Sequence, residues 1–212
     1  MMAFSTRCSI SARLLKRFCC AWLLSWVLAF VGASAWAQSS VDVSQFKVER
    51  ADDGVVLSAQ LQFDLSAAVE DALLKGIPMV FVSSADVLRE RWYWYDKRVS
   101  AVERHFRIAY QPLTRKWRLQ VGSGPFSGAN SGMALGQVFE TLPQTLTAIK
   151  RISRWKIAES SDLDVGSRYR VEFRFQLDVG QLPRPFQIGA LGQTEWDLSA
   201  SVNAPVTLES AK

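Results

Sequence analysis

Hydrophobic and polar positions alternate with period two over much of this chain, the spacing that puts one set of side chains in a core and the other in water along a β-strand. Residues 41–65 read as a hairpin: "VDVSQFKVER", a turn at Ala51-Asp52-Asp53-Gly54, then "VVLSAQLQFDL". Asp-Gly supplies the positive φ angles that a tight turn needs. In the second arm Val55, Leu57, Ala59, Leu61 and Phe63 share one face, and Ser58, Gln60, Gln62 and Asp64 the other. "RYRVEFRFQLDV" alternates as strongly, with Tyr169, Val171, Phe173, Phe175 and Leu177 inward and Arg168, Arg170, Glu172, Arg174 and Gln176 outward.

Two segments change period. "LSAAVEDALLKGIP" predicts a short helix that buries Val69, Ala72 and Leu73, with Ser66 as N-cap, Gly76 as stop and Pro78 barring continuation. A second helix is predicted to start at Thr141, where Thr-Leu-Pro-Gln has capping-box spacing and Pro143 sits in the first turn. Leu142, Leu146, Ile149 and Ile152 would form its apolar face.

Between these helices, "PMVFVSSADVLRERWYWYDKRVS" has strand propensity but is too long for one ordinary strand, which predicts a bulge or bend at residues 83–86. Its aromatic run would place Trp92 and Trp94 on one face and Tyr93 and Tyr95 on the other, as in a central strand buried on both sides. "RHFRIAYQPLTRKWRLQVG" predicts a hairpin. A loop at residues 111–114 sets Phe106 opposite Leu119, Ile108 opposite Trp117 and Arg107 opposite Arg118. Residues 122–136, rich in Gly and Ser, read as a mobile loop without the lysine or setting of a phosphate-binding loop. "GQLPRPFQIG" reads as a turn before a last strand near residues 194–202. Many antiparallel strands and two short helices predict a mainly β fold, an antiparallel β-sandwich with an immunoglobulin-like arrangement as one version of it; an open α+β antiparallel sheet is the alternative.

The start of the chain follows another logic. Arg7, Arg13, Lys16 and Arg17 precede the apolar run of residues 18–31, and Ala35-Trp36-Ala37 has the small-x-small form of a cleavage site. That layout predicts a signal peptide over residues 1–37, export to the periplasm, and one β-rich domain over residues 38–212. An uncleaved inner-membrane anchor is the alternative, since residues 18–37 approach the roughly 20 needed to span a bilayer. Cys19 and Cys20 follow Arg17 and Phe18 directly, an arrangement without a lipid-attachment signal.

Cleavage changes the electrostatic picture. The whole chain has 25 Lys and Arg against 20 Asp and Glu, and the leader takes four of the basic residues, leaving 21 against 20, a formal charge of +1. The global argument for nucleic-acid binding goes with them, and no nucleic-acid partner is expected. Cys8, Cys19 and Cys20 are all in the leader, so the mature domain would lack disulfides and thiolate ligands and rely on its core.

Chemistry is sparse in what remains. His105 is the single histidine, predicted as a surface residue on a strand, and without Cys it cannot build the usual zinc sites. Three close carboxylate pairs, Asp52-Asp53, Glu70-Asp71 and Asp162-x-Asp164, fall in a turn, a helix start and a loop. "DLDVGS" lacks the later ligands of a calcium loop. No catalytic residue, metal or cofactor is assigned, and a non-enzymatic protein is expected. What stands out is arginine beside aromatics on strands: Arg104, Arg107, Arg115, Arg118, Arg168, Arg170 and Arg174. Such a face is either a solvated outer sheet surface that discourages edge pairing, or a docking face for an anionic partner. Arg107, Arg118, Arg168, Arg170 and Arg174 are the candidate partner-binding residues, with an envelope or membrane protein or an anionic envelope polymer as partner. The other reading is a carbohydrate-binding or carbohydrate-active envelope protein using Trp92 or Trp94 beside a carboxylate pair.

Five stretches carry a family resemblance: "VEDALLKGIP", "RWYWYDKRV", "LTRKWRLQVG", "RYRVEFRFQLD" and "QLPRPFQIGAL". Over residues 41–199 the chain resembles uncharacterised exported proteins of Gram-negative bacteria catalogued as a domain of unknown function. Some of these are labelled proline-rich signal-peptide proteins, a label that suits the leader and Pro183-Arg184-Pro185. The resemblance brings no reaction, cofactor or catalytic residue. It implies a partner role in envelope signalling, as an accessory to a membrane sensor kinase of nitrogen-regulation type.

Overall fold

A computed structural model describes residues 41–93, 95–126, 135–164, 166–190 and 193–206. The chain divides into two units, Met1–Ala37 and Gln38–Lys212, and every described residue belongs to the second. The predicted leader, Trp94 and the middle of the Gly/Ser segment lie outside the described residues.

The elements run β1 (Asp42–Ala51), β2 (Gly54–Gln62), α1 (Ala67–Leu74), β3 (Met79–Arg89), β4 (Lys97–Gln111), β5 (Lys116–Gly122), β6 (Leu135–Phe139), α2 (Leu142–Lys150), β7 (Arg151–Glu159), β8 (Tyr169–Leu177), α3 (Arg184–Ala190) and β9 (Ser199–Pro205). The strands form two antiparallel sheets, β1-β2-β7 and β6-β5-β4-β3-β8-β9. The fold is a mainly β, sandwich-like pair of sheets, three strands against six.

Alternation explains what lies between the sheets. Val55, Leu57, Ala59, Leu61 and Phe63 are buried, as are Tyr169, Val171, Phe173, Phe175 and Leu177. Phe63, Phe81 and Phe175 meet in a triangle, with ring centroids 5.3, 5.7 and 5.9 Å apart, and Phe46 approaches Phe173 at 5.7 Å. At such separations aromatic pairs add to the burial of their apolar area. The Ser66 hydroxyl caps α1 by accepting from the Val69 N–H at 3.3 Å, and Gly76 ends that turn at φ +82°. The Thr141 hydroxyl caps α2 by accepting from the Gln144 N–H.

Several elements depart from the sequence-based expectation. Strand β3 runs unbent through residues 83–86, and its only register shift falls between Val87 and Leu88. The break comes later: residues 90–96 form the β3–β4 connection, and Trp92, Tyr93 and Tyr95 are 91, 70 and 87% exposed. The expected two-sided strand is therefore an exposed tip. The β4–β5 turn occupies residues 112–115, one residue later than expected, and Arg115 takes a left-handed φ of 52°. Pro112 is the cause, since proline prefers the first inner position of a turn.

Helix α2 stops at Lys150, so Ile152 lies on β7 rather than on a helical face. A bulge at Arg154, φ 43°, separates the buried Ile152 and Trp155 by three residues and imitates helical spacing. "RPFQIGA" forms a third helix among the described residues, α3, and the last strand is displaced to Ser199–Pro205 after a 3₁₀ turn at Thr194–Trp196.

Candidate functional site

The outward positions of the six-stranded sheet collect four of the five candidate arginines. Arg107 on β4 pairs with Gln120 and Arg118 on β5 with Ala109, so the two arginines are diagonal neighbours on one face rather than directly opposed. The one-residue displacement of the turn slides the register by two, which preserves the face and relieves the direct repulsion. Arg170 and Arg174 lie on the same outer face two strands away, and Arg168 stands just before β8, its carbonyl accepting from the Glu90 N–H at 3.0 Å.

The face divides electrostatically. Arg170 Nη2 reaches Asp96 at 3.1 Å and Glu172 at 2.9 Å, and Arg98 approaches Asp86 at 3.6 Å. Arg89 pairs with Asp164 at the same end. On the β4–β5 part, Lys116, Arg118 and Arg107 point outward with no carboxylate in ion-pairing reach among the described residues; Lys116 and Arg118 are exposed and Arg107 is half-buried. Arg168 and Arg174 are likewise exposed and lack a carboxylate partner among the described residues. Arg170 thus serves the fold, whereas Arg107 and Arg118 keep their charge available.

Arg104, from the same sequence cluster, faces the opposite way, between the sheets. Its guanidinium lies 4.8 Å from the Trp155 ring, and burial pushes its pKa below the ordinary value. The ring's negative face offsets part of the desolvation. Its cross-strand neighbour, Ser83, has a buried hydroxyl with no hydrogen-bond partner among the described residues.

His105 corrects the expectation of a surface residue. It is 4% exposed, although it points to the outer side of β4. Phe126 covers it edge-on at 6.4 Å, Nε2 lies 3.8 Å from Glu103, and Nδ1 has no hydrogen-bond partner among the described residues. Alternation located its face correctly, but the cover comes from Phe126 on another part of the chain, a contact with no local signature.

The carboxylate pairs are dispersed into structural tasks. Asp52 and Asp53 form the β1–β2 turn, where the Ser160 hydroxyl donates to the Asp52 carbonyl at 2.9 Å and Lys156 approaches Asp53 at 3.6 Å. Asp71 on α1 pairs with Lys75. Asp162 accepts from the Glu159 N–H at 3.4 Å, and the Asp164 N–H donates to the Tyr169 hydroxyl at 2.7 Å. Among the described residues no group of three or more His, Cys, Asp or Glu side chains is placed to hold a metal.

Sequence reasoning missed the aromatic tip as a surface feature. Its signal was the flanks: charged Arg89-Glu90-Arg91 and Asp96-Lys97-Arg98 bracket the aromatics without the alternation of a half-buried strand. Asp96 fastens the base of this loop, one carboxylate oxygen accepting from the Arg91 N–H at 3.3 Å and the other meeting Arg170.

No curated protein and no solved structure matches the chain. Residues 38–204 match the family model described as a domain of unknown function, DUF4390, and the chain belongs to that family.

Proposed function

We propose that this protein is a non-enzymatic component of the cell envelope that binds an anionic partner through the β4–β5 part of its outer sheet face. The observation that carries the reading is the division of that face: Arg170 is neutralised by Asp96 and Glu172, while Arg107 and Arg118 share a face with no carboxylate in ion-pairing reach among the described residues. Outward-facing cations held on a sheet, with positions fixed by strand register, suit recognition of an acidic protein segment or anionic envelope polymer. A membrane sensor kinase is one partner of this kind, and export through the basic and apolar leader would bring the domain to it.

The test is recovery of envelope components on immobilised protein. Each exposed ion pair is worth roughly 0.5–1 kcal/mol, so the Arg107→Gln, Arg118→Gln double variant should lose about tenfold in partner affinity. The corresponding Lys variants should retain most of it, and added salt should weaken the wild type. Equal recovery by wild type and the folded Gln variant would refute the reading.

A second reading rests on Trp92, whose exposure is what a carbohydrate-binding protein would require. Quenching or a shift of tryptophan fluorescence by soluble cell-wall fragments, lost in Trp92→Ala, would support it.

A further inference from the structure

We propose that the β3–β4 tip is a membrane-docking element, which seats Trp92, Tyr93 and Tyr95 in the interface of a bilayer containing anionic phospholipid. This goes beyond the arginine-face reading and does not draw on Arg107 or Arg118. Trp and Tyr are the side chains that favour the boundary between headgroups and acyl chains, because each joins an apolar body to a polar tip. Here they stand 91, 70 and 87% exposed. Trp92 and Tyr93 contact each other edge-on at 5.1 Å. With so little of Trp92 and Tyr95 covered, both rings project from the body rather than line a groove. A projecting tip suits a deformable surface better than a rigid sugar.

The base of the tip supplies both order and charge. Asp96 is engaged by the Arg91 N–H and by Arg170, which fixes the chain where it leaves and re-enters the sheet. Arg91, Lys97 and Arg168 surround that base, all exposed and without a carboxylate partner among the described residues. Aromatic groups with cations directly behind them match the vertical order of an anionic bilayer, in which phosphates lie above the interfacial carbons. Arg107 lies ten residues along β4 from Lys97, about 33 Å at strand rise. A domain seated by this tip would hold its arginine face well clear of the headgroups, free for a membrane-attached partner.

The predicted leader is itself apolar, so the experiment must separate the tip from residues 1–37 in the same full chain. An environment-sensitive dye is placed through Tyr93→Cys at the tip or Leu113→Cys at the opposite end, with Cys8, Cys19 and Cys20 changed to Ser. Leu113 is fully exposed and serves as the reference. Vesicles of phosphatidylcholine with phosphatidylglycerol should blue-shift the dye at position 93 and leave position 113 unchanged. Trp92→Ala with Tyr95→Ser should abolish the shift, and Arg91→Gln with Lys97→Gln should weaken vesicle binding by about fivefold per cation.

Equal shifts at positions 93 and 113 would mean adsorption through another part of the chain and would overturn the proposal. So would silence at position 93, an undiminished response to phosphatidylcholine alone, or a response to soluble cell-wall oligosaccharides in place of vesicles. Arg107 and Arg118 remain intact throughout, so failure here leaves the arginine-face reading standing, and loss of partner recovery in their variant leaves the tip untouched. Unchanged thermal unfolding of the tip variants shows that the fold is intact in either event.

Discussion

Two aromatic segments of this protein carry similar side chains and meet opposite fates. On β8, Tyr169, Phe173 and Phe175 are at most 6% exposed, whereas Trp92 and Tyr95 in the β3–β4 tip are 91 and 87% exposed. Aromatic content does not separate them; spacing does. In β8 each aromatic alternates with Arg170, Glu172, Arg174 or Gln176, so one face enters the core while the other remains in water. In the tip four aromatics are consecutive, and a strand carrying them would have to be covered on both faces. Among the described residues nothing provides such cover on the outer face of the six-stranded sheet at that end, which carries Arg98, Asp86, Arg170 and Glu172.

The largest effect that would sharpen this contrast is at Phe175. It is fully buried and stacks on Phe81 at 5.7 Å with Phe63 at 5.3 Å, so Phe175→Ala removes contacts across both sheets. We expect a loss of about 3–5 kcal/mol in denaturant-unfolding stability. A loss below about 1 kcal/mol would show that the rings do not form a consolidated core.

A second comparison concerns the turns. The β1–β2 turn is tight because Gly54 takes φ +144°, where a Cβ would sit 2.0 Å from the Ala158 carbonyl oxygen of β7. Gly54→Ala must therefore strain the turn and displace the neighbouring strand, at a cost of about 1–3 kcal/mol. A neutral Gly54→Ala, measured by the same unfolding curve, would show that the β2–β7 contact yields easily.

The same distinction decides what was legible in advance. Strand β2, strand β8 and helix α1 could be read because their periods are uninterrupted and their caps are local: Ser66, Gly76 and Pro78 act within one turn. Strand β7 could not, because the bulge at Arg154 breaks its alternation and sets Ile152 and Trp155 three apart, which continues the helical spacing of Leu146 and Ile149 across a helix boundary. The face shared by Arg107 and Arg118 was readable from parity alone. Their relative position depended on whether the loop began at Gln111 or Pro112, and a single residue there moves the pairing by two. The division between paired and unpaired arginines was beyond reach, since Asp96 meets Arg170 across 74 positions of sequence.

The smallest expected effect is the one that tests the contrast from its exposed side. Trp92→Ala removes the largest side chain type in the protein, and by size alone it should be as damaging as Phe175→Ala. Yet destabilisation on truncation comes from buried area and from the cavity left behind, and a ring that is 91% exposed has little of either to lose. Its edge-on contact with Tyr93 is made within the tip and anchors nothing in the core. We therefore expect Trp92→Ala to change unfolding stability by no more than about 0.5 kcal/mol. A loss above about 1 kcal/mol would place the indole against the body of the domain. In that event the tip would be a structural cover for the sheet end, and its aromatics would be unavailable to a membrane or to a sugar.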